Sequence, residues 1–172
     1  MYYPVREVQI LSGSRGNTFG WVRKHDDGSP RAHQGWDFQA RDNTLMYAVG
    51  DGEVVYYDKT DNSRYGKSLL IKLDYWGEEL YAFYAHINSS LVEKHQTVYA
   101  GDPVGFSGST GNAKGSRGNA QHLHFEFRYK EKCGKGLDGR IDPWRFFGPP
   151  PYSWIITTEQ IFYDWTYGTP AY

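Results

Sequence analysis

Cysteine is almost missing. Cys133 is the only one in 172 residues, which excludes an intramolecular disulfide and leaves the fold to its core or to a bound metal. No apolar run reaches the roughly 18 residues that a membrane-spanning helix needs. Met1 to Glu7 have neither the basic start nor the apolar stretch of a secretory signal, so a soluble chain without its own export address is expected. No charge sign is in excess either: 19 Lys and Arg face 20 Asp and Glu, for a net charge of −1 and a pI near 6.6. That balance gives no general field for gripping a polyanion, so nucleic acid is not an expected partner. Methionine is scarce at 2 residues, and helical periodicity is nearly absent.

What the chain has in abundance is aromatics and turn formers: 15 Tyr, 9 Phe, 6 Trp and 20 Gly. Short apolar or alternating runs separated by Gly, Asp and Asn predict a mainly β, compact antiparallel domain with long loops and little helix. Strands are expected at Val5–Leu11, Trp36–Gln39, Met46–Val49, Gly52–Asp58, Ser68–Asp74, Glu79–His86, Thr97–Tyr99 and Gln121–Lys130. A helical turn or two is expected over Asn88–His95, and loops over Ser12–Arg31 and Ser107–Ala120. Composition shifts near residue 148, where Pro149, Pro150 and Pro151 open an aromatic segment. Residues 1–148 are therefore read as one domain and 149–172 as an extended appendage packed on it, because Trp154, Ile155, Ile156, Phe162 and Trp165 would otherwise form a large apolar patch.

The clearest alternation is His122-Leu123-His124-Phe125-Glu126-Phe127-Arg128. A strand sends His122, His124 and Glu126 to one face, successive members ~7 Å apart, and Leu123, Phe125 and Phe127 to the core. Leu80, Ala82, Tyr84 and His86 are likewise expected to share a face, with His86 at the strand's end. Two imidazoles side by side inside a fold need a partner. A second cluster, His33-Gln34-Gly35-Trp36-Asp37, offers another imidazole and a carboxylate. Both groups ligate divalent metals, and three such ligands with one open position form the catalytic zinc pattern. The helical motif H-E-x-x-H is absent, so a histidine is the natural general base.

His33-x3-Asp37, Tyr84-Ala85-His86, the turn Gly108-Ser109-Thr110-Gly111 and His122-Leu123-His124, in that order, resemble the lysostaphin/LytM-type zinc endopeptidases, metallopeptidase family twenty-three, over about residues 30–130. The resemblance implies one Zn2+ per chain held by His33, Asp37 and His124. It also implies catalytic, non-ligand roles for His86 and His122, a groove walled by loops, and cleavage of peptide bonds in peptidoglycan stems or cross-bridges. The expected site of action is the bacterial periplasm or cell wall, reached by some other route than a signal in this chain. The expected partners are the peptidoglycan peptide and a protein inhibitor or delivery partner, and the chain is expected to be a monomer, possessing antibacterial use if it is delivered as a toxin. The segment Asn112–Gln121 lengthens the link to the His-x-His strand relative to the family, and Gln121 stands where the family often has proline. Cys133–Pro143 and the aromatic tail have no clear counterpart in the family's core.

Two alternatives stay open on the residues alone: a non-catalytic relative that binds cell wall or a partner hydrolase, and a non-haem iron enzyme using the same two histidines and carboxylate. Other motifs fail on context. Gly134-Lys135-Gly136-Leu137-Asp138-Gly139 fits G-x-G-x-x-G but is not followed by a helix, and Asp61–Ser68 runs into a strand, as a hairpin turn does. His25 and His95 are expected to be solvated, and Cys133 to be an incidental thiol.

Overall fold

The structure, a computed structural model, describes residues 1–153 and the backbone of residues 156 and 157. Its strands in chain order are β1 (Glu7–Val8), β2 (Gly20–Lys24), β3 (Pro30–His33), β4 (Trp36–Gln39), β5 (Leu45–Tyr47), β6 (Gly52–Asp58) and β7 (Ser68–Tyr75). They continue with β8 (Glu78–Ala85), β9 (Ile87–Ser90), β10 (Thr97–Val98), β11 (Pro103–Ser107), β12 (His122–Arg128), β13 (Arg140–Ile141) and β14 (Ile156–Thr157). The short helix α1 (Trp144–Phe147) is the one α-helix among the described residues. Every strand pairing is antiparallel. The fold class is therefore the mainly β, helix-poor one that the composition predicts.

A seven-stranded sheet runs β10-β6-β7-β8-β12-β13, and β4 also pairs with β12. β12 is thus held on both edges: β8 lies along one, while β4 and then β13 share the other. Alternation in β12 divides the sheet's two faces. Phe125 and Phe127 go into the main core with Tyr84, Leu69 and Ile71, and the three-stranded sheet β5-β11-β9 closes that core with Met46, Val104 and Ile87. Trp36 and Phe38 point the same way from β4, where Phe147 packs 6.1 and 6.3 Å from their rings. The opposite face carries the smaller cluster Leu70, Tyr81, Phe83 and Ala85, and the polar residues of β12 and β4 lie on it.

Four expectations need correction. Val5–Leu11 is not one strand: Glu7 and Val8 pair with Thr157 and Ile156, whereas Ile10 bridges Phe38. The run serves two partners and so cannot follow a single ladder. Asn88–His95 is not helical; β9 pairs with β11, and the Ser90 hydroxyl closes a turn onto Val92. Ser12–Arg31 is not all loop, since it holds β2 and the start of β3, a hairpin whose tip is closed by the Asp27 carboxylate accepting from the Ser29 amide and hydroxyl. His86 does not share the face of Ala82 and Tyr84. β8 ends at Ala85, and His86 has φ 60°, a left-handed backbone that swings its ring over to the polar face.

The start of the C-terminal segment is tied to the sheet domain: Ile10 N–H donates to the Pro151 carbonyl at 3.0 Å, and β14 pairs with β1. Trp154, Ile155, Phe162 and Trp165, expected to pack there, lie outside the described residues.

Candidate metal centre

The ladder between β12 and β4 sets His124 directly opposite Asp37. His33 closes β3, and only Gln34 and Gly35 separate it from β4. Gly35 is required at that crossing, because a Cβ there would collide with the Phe125 carbonyl oxygen of β12. With that close approach made, three ligand atoms converge. His33 Nε2 lies 3.1 Å from Asp37 Oδ1 and 3.2 Å from His124 Nδ1, and His124 Nδ1 lies 2.8 Å from Asp37 Oδ1. All three residues are buried.

A fixed hydrogen bond on the far side of each ligand decides what faces inward. His33 Nδ1 meets the Thr18 carbonyl at 2.9 Å; a carbonyl only accepts, so the proton sits on Nδ1 and the Nε2 lone pair points inward. His124 Nε2 meets Glu126 Oε1 at 2.9 Å, which leaves Nδ1 facing inward. Arg23 Nη2 donates to Asp37 Oδ2 at 2.6 Å, which leaves Oδ1 inward. Once deprotonated, two imidazole nitrogens and a carboxylate oxygen meet at one point, and such a set suits a divalent cation. Tetrahedral zinc with bonds of about 2.0–2.1 Å puts neighbouring ligand atoms roughly 3.3 Å apart, close to the spacings found. Donor chemistry, spacing and outer hydrogen bonds all fit the ion.

In the metal-free chain a proton shared between His124 Nδ1 and Asp37 stands where the ion would, and binding the ion displaces it. Burial pushes the His124 imidazole down, but the hydrogen bonds and charges of Asp37 and Glu126 outweigh it and lift the group to about 9. Burial pushes Glu126 up, yet the hydrogen bond from His124 and the guanidinium of Arg128 prevail and hold it at about 2. Burial is also opposed at Asp37, where His33 and His124 keep the carboxyl well below the usual range. His33 is lowered, chiefly by burial.

His86 and His122 stand beside this set, their rings 5.2 Å apart, with His86 6.0 Å from His124. Each ties Nδ1–H to a backbone carbonyl, His86 to Thr110 at 2.8 Å and His122 to Ala120 at 3.0 Å. Both Nε2 atoms are left free for chemistry, and that of His122 lies 4.0 Å from Asp37 Oδ1. Burial, reinforced by His124 and His122, pushes His86 down to about 4. A groove of about 290 Å3 opens over these five residues, with Arg31, Arg64, Tyr65, Asn112 and Ala113 among its walls.

All five residues singled out from the sequence thus come together. His25 and His95 are elsewhere; His95 is exposed and pairs with Glu53 at 3.0 Å. Cys133 is half-buried, and burial raises its thiol, so it is no activated nucleophile. Sequence reasoning missed Thr18, Arg23 and the role of Glu126, all outer partners of the ligands. The even-numbered run His122, His124, Glu126 was the one available signal, and it placed Glu126 on the right face.

Residues 31–135 match the model of Peptidase family M23. The chain is 35% identical over 141 residues to an uncharacterized metalloprotease of Haemophilus influenzae, covering 81% of this chain and 27% of that protein. It is 32% identical over 122 residues to the murein hydrolase activator NlpD of Salmonella dublin, covering 71% and 30%. It therefore spans less than a third of the length of these two relatives. Among solved structures, a zinc containing peptidase from Vibrio cholerae superposes with a TM-score of 0.61 at 29% identity, over 81% of this chain and 37% of that one. The catalytic domain of lysostaphin from Staphylococcus simulans superposes with a TM-score of 0.59 at 25% identity, over 75% and 87%. Strands β4 and β12, which set His124 against Asp37, lie inside the matched stretch, and the chain belongs to peptidase family M23.

Proposed function

We propose that the chain is a zinc-dependent endopeptidase that cuts peptide bonds in peptidoglycan stems or cross-bridges, at the bacterial periplasm or cell wall. The observation that carries this reading is a full ligand set, each member fixed by its own outer hydrogen bond, with two further histidines beside it whose Nε2 atoms are free. His33, Asp37 and His124 hold the ion. When bound, zinc supplies a Lewis acid that polarises the peptide carbonyl and acidifies a water to near neutrality. His86 and His122 do the rest: between them they take the proton from the attacking water, steady the developing oxyanion and return the proton to the leaving amine. No mobile glutamate is needed, since Glu126 is fully buried and occupied with His124 and two arginines.

The groove favours an anionic substrate. The side chains of Arg31 and Arg64 have no hydrogen-bond or ion-pair partner among the described residues, and Asp37, the one acidic side chain of the lining, is already shared. A peptide carrying a free carboxylate suits those walls.

A second reading, a non-catalytic activator, is favoured by the similarity to NlpD, a murein hydrolase activator. Against it stands the intact set of ligands and flanking histidines. Within the proposal, residues 1–148 form the enzymatic domain and 149–172 an extension laid on it. Metal analysis of the purified chain tests the centre. The expected content is one zinc per chain, lost in His124→Ala; full zinc in that variant would contradict the assignment, and iron in place of zinc would mean an oxygenase-type site.

A further inference from the structure

Two arginines reach the metal ligands from outside the family-matched stretch, one from each flank. Arg23, on β2, precedes residue 31, and Arg140, on β13, follows residue 135. We propose that Arg23 and Arg140 are positioning residues that complete the metal centre, Arg23 by holding Asp37 and Arg140 by holding His124 through Glu126. The inference rests on the reading of His33, Asp37 and His124 as zinc ligands.

Arg140 is the more deeply set of the pair, with a side chain only 6% exposed. Its Nε donates to Glu126 Oε2 at 2.8 Å, while Glu126 Oε1 accepts from His124 Nε2 at 2.9 Å. One carboxylate thus joins the flank to the ligand. The remaining donors fix the guanidinium: Nη1 reaches the carbonyls of Gly134 and Asp138, each at 3.0 Å, and Nη2 reaches the Tyr65 hydroxyl at 3.0 Å. The loop that the family resemblance leaves without a role, around Cys133–Pro143, therefore wraps its own carbonyls around the arginine that braces His124. Arg128 also donates to Oε2, at 2.7 Å. With Arg128 alone, Oε2 keeps a charge partner but loses one of its two guanidinium donors.

Arg23 does the same for the other ligand. Its Nε donates to the Gly16 carbonyl at 2.6 Å, and Nη2 bonds both Asn17 Oδ1 at 3.0 Å and Asp37 Oδ2 at 2.6 Å. Nη2, held in place by the Gly16 and Asn17 bonds, occupies Oδ2 and leaves Oδ1 as the single inward oxygen. Asp37 is held to one-oxygen ligation, which keeps a coordination position open. Outer partners of this kind typically account for 10–100-fold in metal affinity.

The test is zinc affinity, measured by competition with a chromogenic chelator, alongside the melting temperature of the metal-free protein, for the full chain and for Arg140→Met, Arg140→Lys and Arg23→Gln. We expect Arg140→Met and Arg23→Gln to raise the zinc Kd roughly 10–100-fold, and Arg140→Lys, which keeps the charge but not the fork, to recover part of the loss. A residue that merely supports the fold would lower the metal-free melting temperature and leave Kd alone, so Kd within twofold of the parent chain in folded Arg140→Met or Arg23→Gln overturns the proposal. If Arg140→Met does not fold, Arg23→Gln and Arg140→Lys decide it on the same criterion, the Arg23 side chain being 27% exposed. A parent chain that binds no zinc removes the metal-centre reading itself; a parent that binds, with variants that bind equally, removes this inference only.

Discussion

His86 shows how one backbone angle builds a site. In a regular strand its side chain would follow Tyr84 into the main core, but φ 60° turns the ring toward His122 and His124. A left-handed non-glycine residue costs of order 1–3 kcal/mol, and here the cost is offset by Nδ1–H to Thr110 and by the His86 amide donating to the Tyr65 carbonyl at 2.8 Å. Replacing His86 or His122 with Ala is expected to keep zinc and fold while lowering kcat by roughly two to four orders of magnitude, with much less change in KM. Turnover of a defined stem peptide, with zinc content and melting temperature measured for the same samples, checks this; near-normal kcat in both variants contradicts the mechanism. The ligand residues themselves were legible, because His-x-His in an alternating strand and His-x3-Asp carry chemistry in their spacing. Arg23, Thr18 and Arg140 were not. A charged side chain in a polar loop reads as solvated, and a backbone carbonyl has no sequence signature at all.

At the scale of elements, strands with apolar faces could be read and those without could not. β4, β6, β7, β8 and β12 contribute to the core and fall within one or two residues of their expected bounds. The hairpin β2–β3 escaped notice because its strands, rich in Lys, Arg and His, bury little, yet it delivers Arg23 to Asp37. β9 is a strand where the sequence predicts a turn of helix, because its pairing with β11 overrides a weak local preference. The N-terminal run was overextended for a related reason: its partner strand β14 lies far away in sequence. That pairing carries a prediction. Truncation after Gly148 removes the Ile10–Pro151 bond and the β1–β14 ladder, and is expected to lower the melting temperature by roughly 2–4 °C for each kcal/mol lost, with zinc affinity unchanged. Calorimetry and chelator competition on the truncated chain check it. An unchanged melting temperature would make the segment independent of the domain.

Over the whole molecule, charge is nearly balanced at −1, whereas the groove concentrates Arg23, Arg31 and Arg64 around a single carboxylate. Local charge of one sign in a cleft raises the concentration of an oppositely charged substrate. Arg31→Gln and Arg64→Gln are therefore expected to raise KM for a carboxylate-bearing peptide several-fold, to leave kcat nearly unchanged, and to have little effect on the amidated peptide. Steady-state kinetics at low and high salt check this, since the difference shrinks as salt screens the groove; equal KM for both peptides in the parent chain would contradict it. Zinc-dependent cleavage of peptidoglycan is tested by mass spectrometry of the fragments released from purified peptidoglycan by the chain, with chelator, without it, and after zinc is restored. Newly freed peptide termini at one type of bond are expected, lost with chelator and restored with zinc. Peptidoglycan left uncut by the zinc-loaded chain, or cut equally in the presence of chelator, would contradict zinc-dependent cleavage.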